Sequence, residues 1–203
     1  MPKVLFKINS QVKLEKLKSI LSFGGILSKD EIDYISSYFT YNKLKANDHF
    51  LEFQKVAHEI AFVETGILRV YSLDPEGNDI TKHFISENQF FVDLESYYTG
   101  KPATEAFQAV VASELMTIHK SIIEQLSNEI PNFYIFIKTV TEVALLSKIK
   151  NNDFLHFGHA KTRYLEFIKR YPLLVQQVPQ QYIASYLKIT PQSLSRIRKE
   201  LTQ

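Results

Sequence analysis

The stretch "VPQQYIASYLKITPQSLSRIRKEL", residues 178–201, holds two short helical patterns with a break between them, the second carrying Arg196, Arg198 and Lys199 within four residues. Counted from Gln180, the apolar residues Ile183, Leu187, Ile189, Leu194 and Ile197 fall where a helix-turn-helix needs its core. Two helices that cross steeply need a small residue at their contact, and Ala184 stands there. The turn position that favours φ > 0 holds Lys188 instead of glycine, a departure that costs about 1 kcal/mol. Thr190 suits an N-cap and Pro191 a first helical turn.

The helix from Pro191 would present Gln192, Ser193, Ser195, Arg196 and Lys199 outward. Glutamine pairs bidentately with adenine and arginine with guanine, so Gln192 and Arg196 are the expected base readers. Arg198, Lys199, Lys188 and Gln181 are placed for phosphates, which fix register without reading sequence, and Arg163 and Lys169 add to that field. From Lys161 to the end, eight basic residues face two acidic ones, a net +6. The chain totals +2, so the first 160 residues sum to −4. A weakly acidic body with a basic tail suits an anionic partner for the tail.

Upstream, residues 11–22 read as a short amphipathic helix on Val12, Leu14, Leu17, Ile20 and Leu21, stopped by Gly24-Gly25. Ser28 and Glu31 have capping-box spacing before Ile32, Ile35 and Phe39. From Thr40 to His119 the segments are short and β-prone, divided by turns at Ala46-Asn47-Asp48, Glu64-Thr65-Gly66 and Asp74–Asn78. Such spacing predicts a sandwich or barrel. "SIIEQLSNEIP" is one helix, and Pro131 opens the next. That helix runs about 25 residues and is apolar on more than one face, through Phe133, Tyr134, Phe136, Ile137, Val140, Val143, Ala144, Leu145, Leu146, Ile149 and Phe154. A second copy of the same helix is the simple partner for the surplus face. Gly158 marks a hinge. "AKTRYLEFIKRYP" forms a further helix with Tyr164, Leu165 and Ile168 inward, ended by Pro172.

Several chemistries are excluded. There is no cysteine, hence no disulfide, thiolate zinc site or thiol nucleophile. His49, His58 and His83 are scattered, and His156 with His159 makes two ligands without a third, so no metal site is expected. No phosphate loop, dinucleotide fingerprint or nucleophile elbow occurs. An enzyme, a cupin-like metal enzyme included, is the competing class and is not the expected one. No apolar run reaches membrane-spanning length and the N-terminus is no signal peptide, so a cytoplasmic protein without cofactors is expected.

The order of short helices, β-rich domain, long helix and terminal helix-turn-helix resembles the Crp/Fnr family of bacterial transcription regulators. "DLESYYTGKP" and "RYPLLVQQVPQQYIASYLKITPQSLSRIRK" are similar to its Bacteroidetes-type members. The resemblance implies an α+β chain: a double-stranded β-helix (jelly-roll) sensor domain with flanking helices over 1–130, a dimerisation helix and hinge over 131–157, and a helix-turn-helix domain over 158–203. It implies a homodimer, double-stranded DNA and RNA polymerase as partners, and an effector in the β-domain. The family's C-terminal wing is not found before Gln203, and a degenerate regulator that binds protein is a further alternative. A cyclic-nucleotide site of the family has a Gly-Glu pair and, some ten residues on, an Arg pair. Here Val92-Asp93 and Ala103-Thr104 stand there, with no arginine between Tyr71 and Gly158. Cyclic AMP or cyclic GMP would therefore lack a phosphate partner. The candidate effector pocket comprises Phe91, Asp93, Leu94, Glu95, Lys101 and Thr104, with Phe90, Tyr97 and Tyr98 as further wall or core residues.

Overall fold

A computed structural model of the 203-residue chain describes residues 14–156 and 158–201, the side chains of 147–153 excepted. Two short helices, α1 (Glu15–Leu21) and α2 (Lys29–Ser36), precede the β-region. α2 begins on the expected capping box: the Glu31 N–H donates to Ser28 Oγ at 3.3 Å and the Ser28 N–H donates to Glu31 Oε2 at 2.7 Å. Gly24 and Gly25 end the first helical segment at φ 70° and 63°. Val12 lies outside the described residues.

The β-region is a sandwich of two antiparallel four-stranded sheets. In chain order the strands are β1 (Thr40–Leu44), β2 (His49–Leu51), β3 (Glu59–Thr65), β4 (Ile67–Leu73), β5 (Asp79–Ser86), β6 (Phe90–Phe91), β7 (Ala106–Ala109) and β8 (Ser113–His119). One sheet runs β1-β8-β3-β6 and the other β2-β7-β4-β5. The turns stand where the sequence puts them. Asn47 takes φ 74°, and the Asp74–Asn78 hairpin closes with the Gly77 N–H donating to the Asp74 carbonyl at 3.0 Å.

Period-two alternation sorts the side chains. Ala61, Val63 and Leu115 point between the sheets, onto Leu51, Leu68, Val70, Phe91 and Phe107. Their neighbours Phe62, Met116 and Ile118 point outward, onto α1, α2, α4 (Lys120–Glu129) and the start of α5 (Pro131–Asn152). Phe133 and Phe136 of α5 are buried there. Tyr134, Ile135, Val143, Leu145 and Leu146 of the same helix stay exposed, so the surplus apolar face expected of this helix is present. No helix among the described residues is long and apolar enough to cross a membrane.

Beyond Gly158, which has φ 80°, come α6 (Ala160–Arg170), α7 (Pro172–Gln177), α8 (Gln180–Tyr186) and α9 (Pro191–Leu201). One expectation stands with an addition and another is corrected here. Pro172 does end α6, but it also opens α7, because a proline at the first helical position gives up no intrahelical hydrogen bond. Phe167 and Tyr164 are the buried residues of α6, Ile168 is half-buried, and Leu165 is exposed. The inward stripe thus lies one step round the helix from Leu165.

Candidate functional site

A short turn joins α8 to α9, and the two helices pack through the residues whose spacing suggests it. Ile183, Ala184, Leu187 and Leu194 are fully buried and Ile197 nearly so, with Ile189 packed against them. Lys188 adopts φ 56°, the left-handed conformation that the turn demands and that a glycine would take more cheaply. Thr190 caps α9: its Oγ1 accepts from the Ser193 N–H at 3.1 Å, and its hydroxyl lies 2.9 Å from that of Ser193. Ser193 is therefore a capping partner and half-buried. Gln192, Ser195, Arg196 and Lys199 are exposed on α9, Arg198 is half-buried, and Lys188 and Gln181 are exposed beside them. Lys161 pairs with Glu200 at 3.1 Å, on the flank of this surface.

The unit is not hung on a loose tether. Ile67, Phe84 and Val110 of the sandwich share one core with Phe154, Phe167, Ile183, Tyr186 and Leu187. The Phe84 ring meets Tyr186 edge-on at 5.4 Å and Phe167 at 6.3 Å. Burial holds the Tyr186 hydroxyl well above the usual phenol range and raises that of Tyr171 as well. The Thr81 N–H of β5 donates to Ser185 Oγ of α8 at 2.9 Å.

Arg69 of β4 sits at the centre of this contact and is 2 % exposed. Its guanidinium donates to Asp79 at 2.7 Å, Gln108 at 2.9 Å and Thr81 at 3.4 Å. Its Cζ lies over two rings, 4.2 Å from the centroid of Tyr71 and 3.6 Å from that of Tyr182 of α8. Tyr71 in turn shares a 3.0 Å hydrogen bond with His49 Nε2. Sequence reasoning missed this arginine. Strand alternation on β4 is its one local signal, and there it reads as an apolar run interrupted by a charge.

The candidate effector region is dispersed. Asp93 caps α3 (Leu94–Thr99), accepting from the Ser96 N–H at 3.0 Å. Phe91 and Tyr97 are core, and burial pushes the Tyr97 hydroxyl up to about 12. Leu94, Glu95, Lys101 and Thr104 are exposed, as is Tyr98, while Phe90 packs on the helical side of its sheet. A cavity of about 310 Å³ does open beside Asp93, but its other walls come from elsewhere: Phe50, Leu51, Val56, Ala57, His58, Glu59, Phe107 and His119. His58 and His119 stack at 5.9 Å on its rim, a pair 61 residues apart that β3–β8 register creates, Glu59 lying opposite His119. Thr117 Oγ1 donates to Glu59 Oε1 at 3.4 Å. No lysine or arginine lines the cavity among the described residues. Lys120, next to His119, is instead directed to the Tyr97 carbonyl at 2.7 Å.

Comparison with known proteins follows the same division. Residues 41–129 match the family profile of the cyclic nucleotide-binding domain. No curated protein is similar enough in sequence to be matched. Among solved structures, FixK2 from Bradyrhizobium japonicum superposes with a TM-score of 0.66 at 18% identity, over 81% of this chain and 84% of that one. The catabolite activator protein of Thermus thermophilus gives 0.55 at 17%, over 90% and 86%. The c-di-GMP responsive global regulator CLP of Xanthomonas campestris gives 0.66 at 13%, over 86% and 92%. Residues 41–129 thus match the cyclic nucleotide-binding domain profile, and the chain as a whole shares the fold of these solved structures.

Proposed function

We propose that the chain is a homodimeric transcription regulator that binds double-stranded DNA through α9 and answers to an effector other than cyclic AMP or cyclic GMP. The observation that carries the reading is the exposed row of Gln192, Ser195, Arg196 and Lys199 on a helix whose opposite face completes a helix-turn-helix core. The N-terminal part of α9 would enter the major groove, with Gln192 and Arg196 at base edges and Arg198, Lys188 and Gln181 at phosphates. The exposed apolar face of α5 supports pairing of two copies, which would bring two recognition helices to a near-palindromic site. Glu59 and Asp93 beside the cavity, with no lysine or arginine lining it among the described residues, speak against a cyclic phosphate there.

The deciding experiment is a salt series of DNA binding by wild type and by Arg196→Ala, Lys188→Ala and Leu146→Glu. Affinity should fall steeply with salt. Arg196→Ala should cost about 1–3 kcal/mol and relax preference at one base position. Lys188→Ala should weaken all sequences alike. Leu146→Glu should shift the sedimenting species from dimer to monomer. An Arg196→Ala loss that is equal for every sequence would refute the assigned base reader, and salt-independent or absent binding would refute the function.

A further inference from the structure

The interior of the sandwich changes character along its length. Ala61, Val63 and Leu115 fill the middle. At the end where β3 begins and β8 finishes, the same inward rows continue as Glu59, Thr117 and His119. Across from them stand buried Leu51 and Phe107 and half-buried Phe50 from the other sheet. The cavity therefore has an apolar and aromatic floor and a polar wall in which Glu59 and Asp93 stand beside His58 and His119. Its volume, about 310 Å³, lies at the small end of ligand pockets, which run from roughly 300 to 1,000 Å³.

Charge selects among ligands of that size. Glu59 and Asp93 supply two carboxylates, each engaged by one neutral donor, Thr117 and Ser96. The N-termini of α3 and α4 also border the cavity, at Asp93 and His119. Each contributes at most about half a positive charge, and less for the six-residue α3. Two whole charges outweigh them. Phe50 and Phe107 also line the cavity, and the face of an aromatic ring attracts cations and not anions.

From this cavity we infer that the effector is a small organic cation: an amine or quaternary ammonium on an apolar body, its charge against Asp93 and Glu59 and its body on Phe50, Leu51 and Phe107. The inference rests on the regulator reading, since it names the effector class of that regulator's sensor domain. It also explains why a phosphate-binding arginine is missing from the stretch where the family places one.

The test is calorimetric titration of the full chain at about pH 8 with 2-phenylethylamine, benzyltrimethylammonium, the neutral isostere 2-phenylethanol and cyclic AMP. Both cations should bind, and the alcohol about tenfold or more weaker. Asp93→Asn should weaken the cations about tenfold while leaving the melting temperature in place, because asparagine caps a helix as well as aspartate does. Glu59→Gln should act alike. Equal binding of amine and alcohol, indifference to both substitutions, or tighter binding of cyclic AMP overturns the inference. DNA affinity is measured on the same preparation. Salt-dependent DNA binding with no cation bound at millimolar concentration overturns the effector class and leaves the regulator standing. Cation binding without DNA binding does the reverse.

Discussion

The guanidinium of Arg69 lies 3.6 Å from the ring centroid of Tyr182, so strand β4 of the sandwich and helix α8 meet through a cation–π contact. The contact is desolvated, where such contacts are worth about 2 kcal/mol instead of the 0.5–1 found on surfaces. Asp79 is 39% exposed and recovers part of its hydration when Arg69 is removed. Arg69→Ala should therefore cost about 2–3 kcal/mol, below the roughly 3–5 of a fully buried pair. For a chain of this size that is a fall in melting temperature of about 5–10 °C. A double-mutant cycle with Tyr182→Ala should return a coupling of about 1–2 kcal/mol, measured by denaturant titration. Additive losses would show that the contact contributes nothing of its own. Arg69→Lys should not rescue, since an ammonium has neither the planar face nor the fork that meets Asp79, Gln108 and Thr81 together.

Two nearby positions in the turn between α8 and α9 should respond with opposite signs. Lys188 holds φ 56° without being a glycine, so Lys188→Gly should stabilise by up to about 1 kcal/mol. The same change removes a charge set beside α9 and should lower DNA affinity. Thr190→Ala deletes the cap on the Ser193 N–H and should destabilise by about 1 kcal/mol. Thermal melts of the two variants settle both signs.

Gly66 leaves no room for a side chain. Its φ is +105°, and a Cβ built there would collide with Ser113 Oγ and come within 2.7 Å of the Ser113 Cα. Gly66→Ala should destabilise by more than about 3 kcal/mol, combining backbone strain with a clash against main chain. Gly77→Ala, in the exposed β4–β5 turn with nothing within 4 Å, is the control. It should lose only the left-handed penalty of about 1 kcal/mol.

Glu64 is 6% exposed, and its Oε1 has no hydrogen-bond partner. Burial raises its carboxyl above the usual range, against the smaller lowering effects of the Leu17 N–H and Lys16. A raised carboxyl contributes its full share to stability below the unfolded value and loses it as pH climbs through the folded one. Glu64→Gln should thus raise the melting temperature at pH 7, by about 2–4 °C for each kcal/mol relieved. At pH 4 the two proteins should melt together. A gain that is the same at both pH values would exclude ionisation as its source.

The readable parts of this chain were those fixed by neighbours in sequence. Ser28 with Glu31, Thr190 with Ser193, and the core row Ile183, Ala184, Leu187, Leu194 all act within a turn or two, and each stands as its spacing implies. The strands announced themselves through turns such as Asp74–Asn78. What stayed hidden was set by sheet register and docking. His58 meets His119 only because β3 pairs with β8, and Arg69 meets Tyr182 only because α8 docks on the sandwich. The cavity took just one residue, Asp93, from the stretch that sequence pointed to, because its remaining walls lie on β2, β3, β7 and β8 and the segment after β2.

The core shared by Ile67, Phe84 and Val110 with the C-terminal helices has a consequence for how the protein comes apart. Gly158 looks like a seam in the chain, but the seam is not a fault line in free energy. A cut there would bare Phe84 on one fragment and Phe167, Tyr186 and Leu187 on the other, each a greasy scar that invites aggregation. The intact chain should melt in a single calorimetric peak, sandwich and C-terminal helices lost in one step.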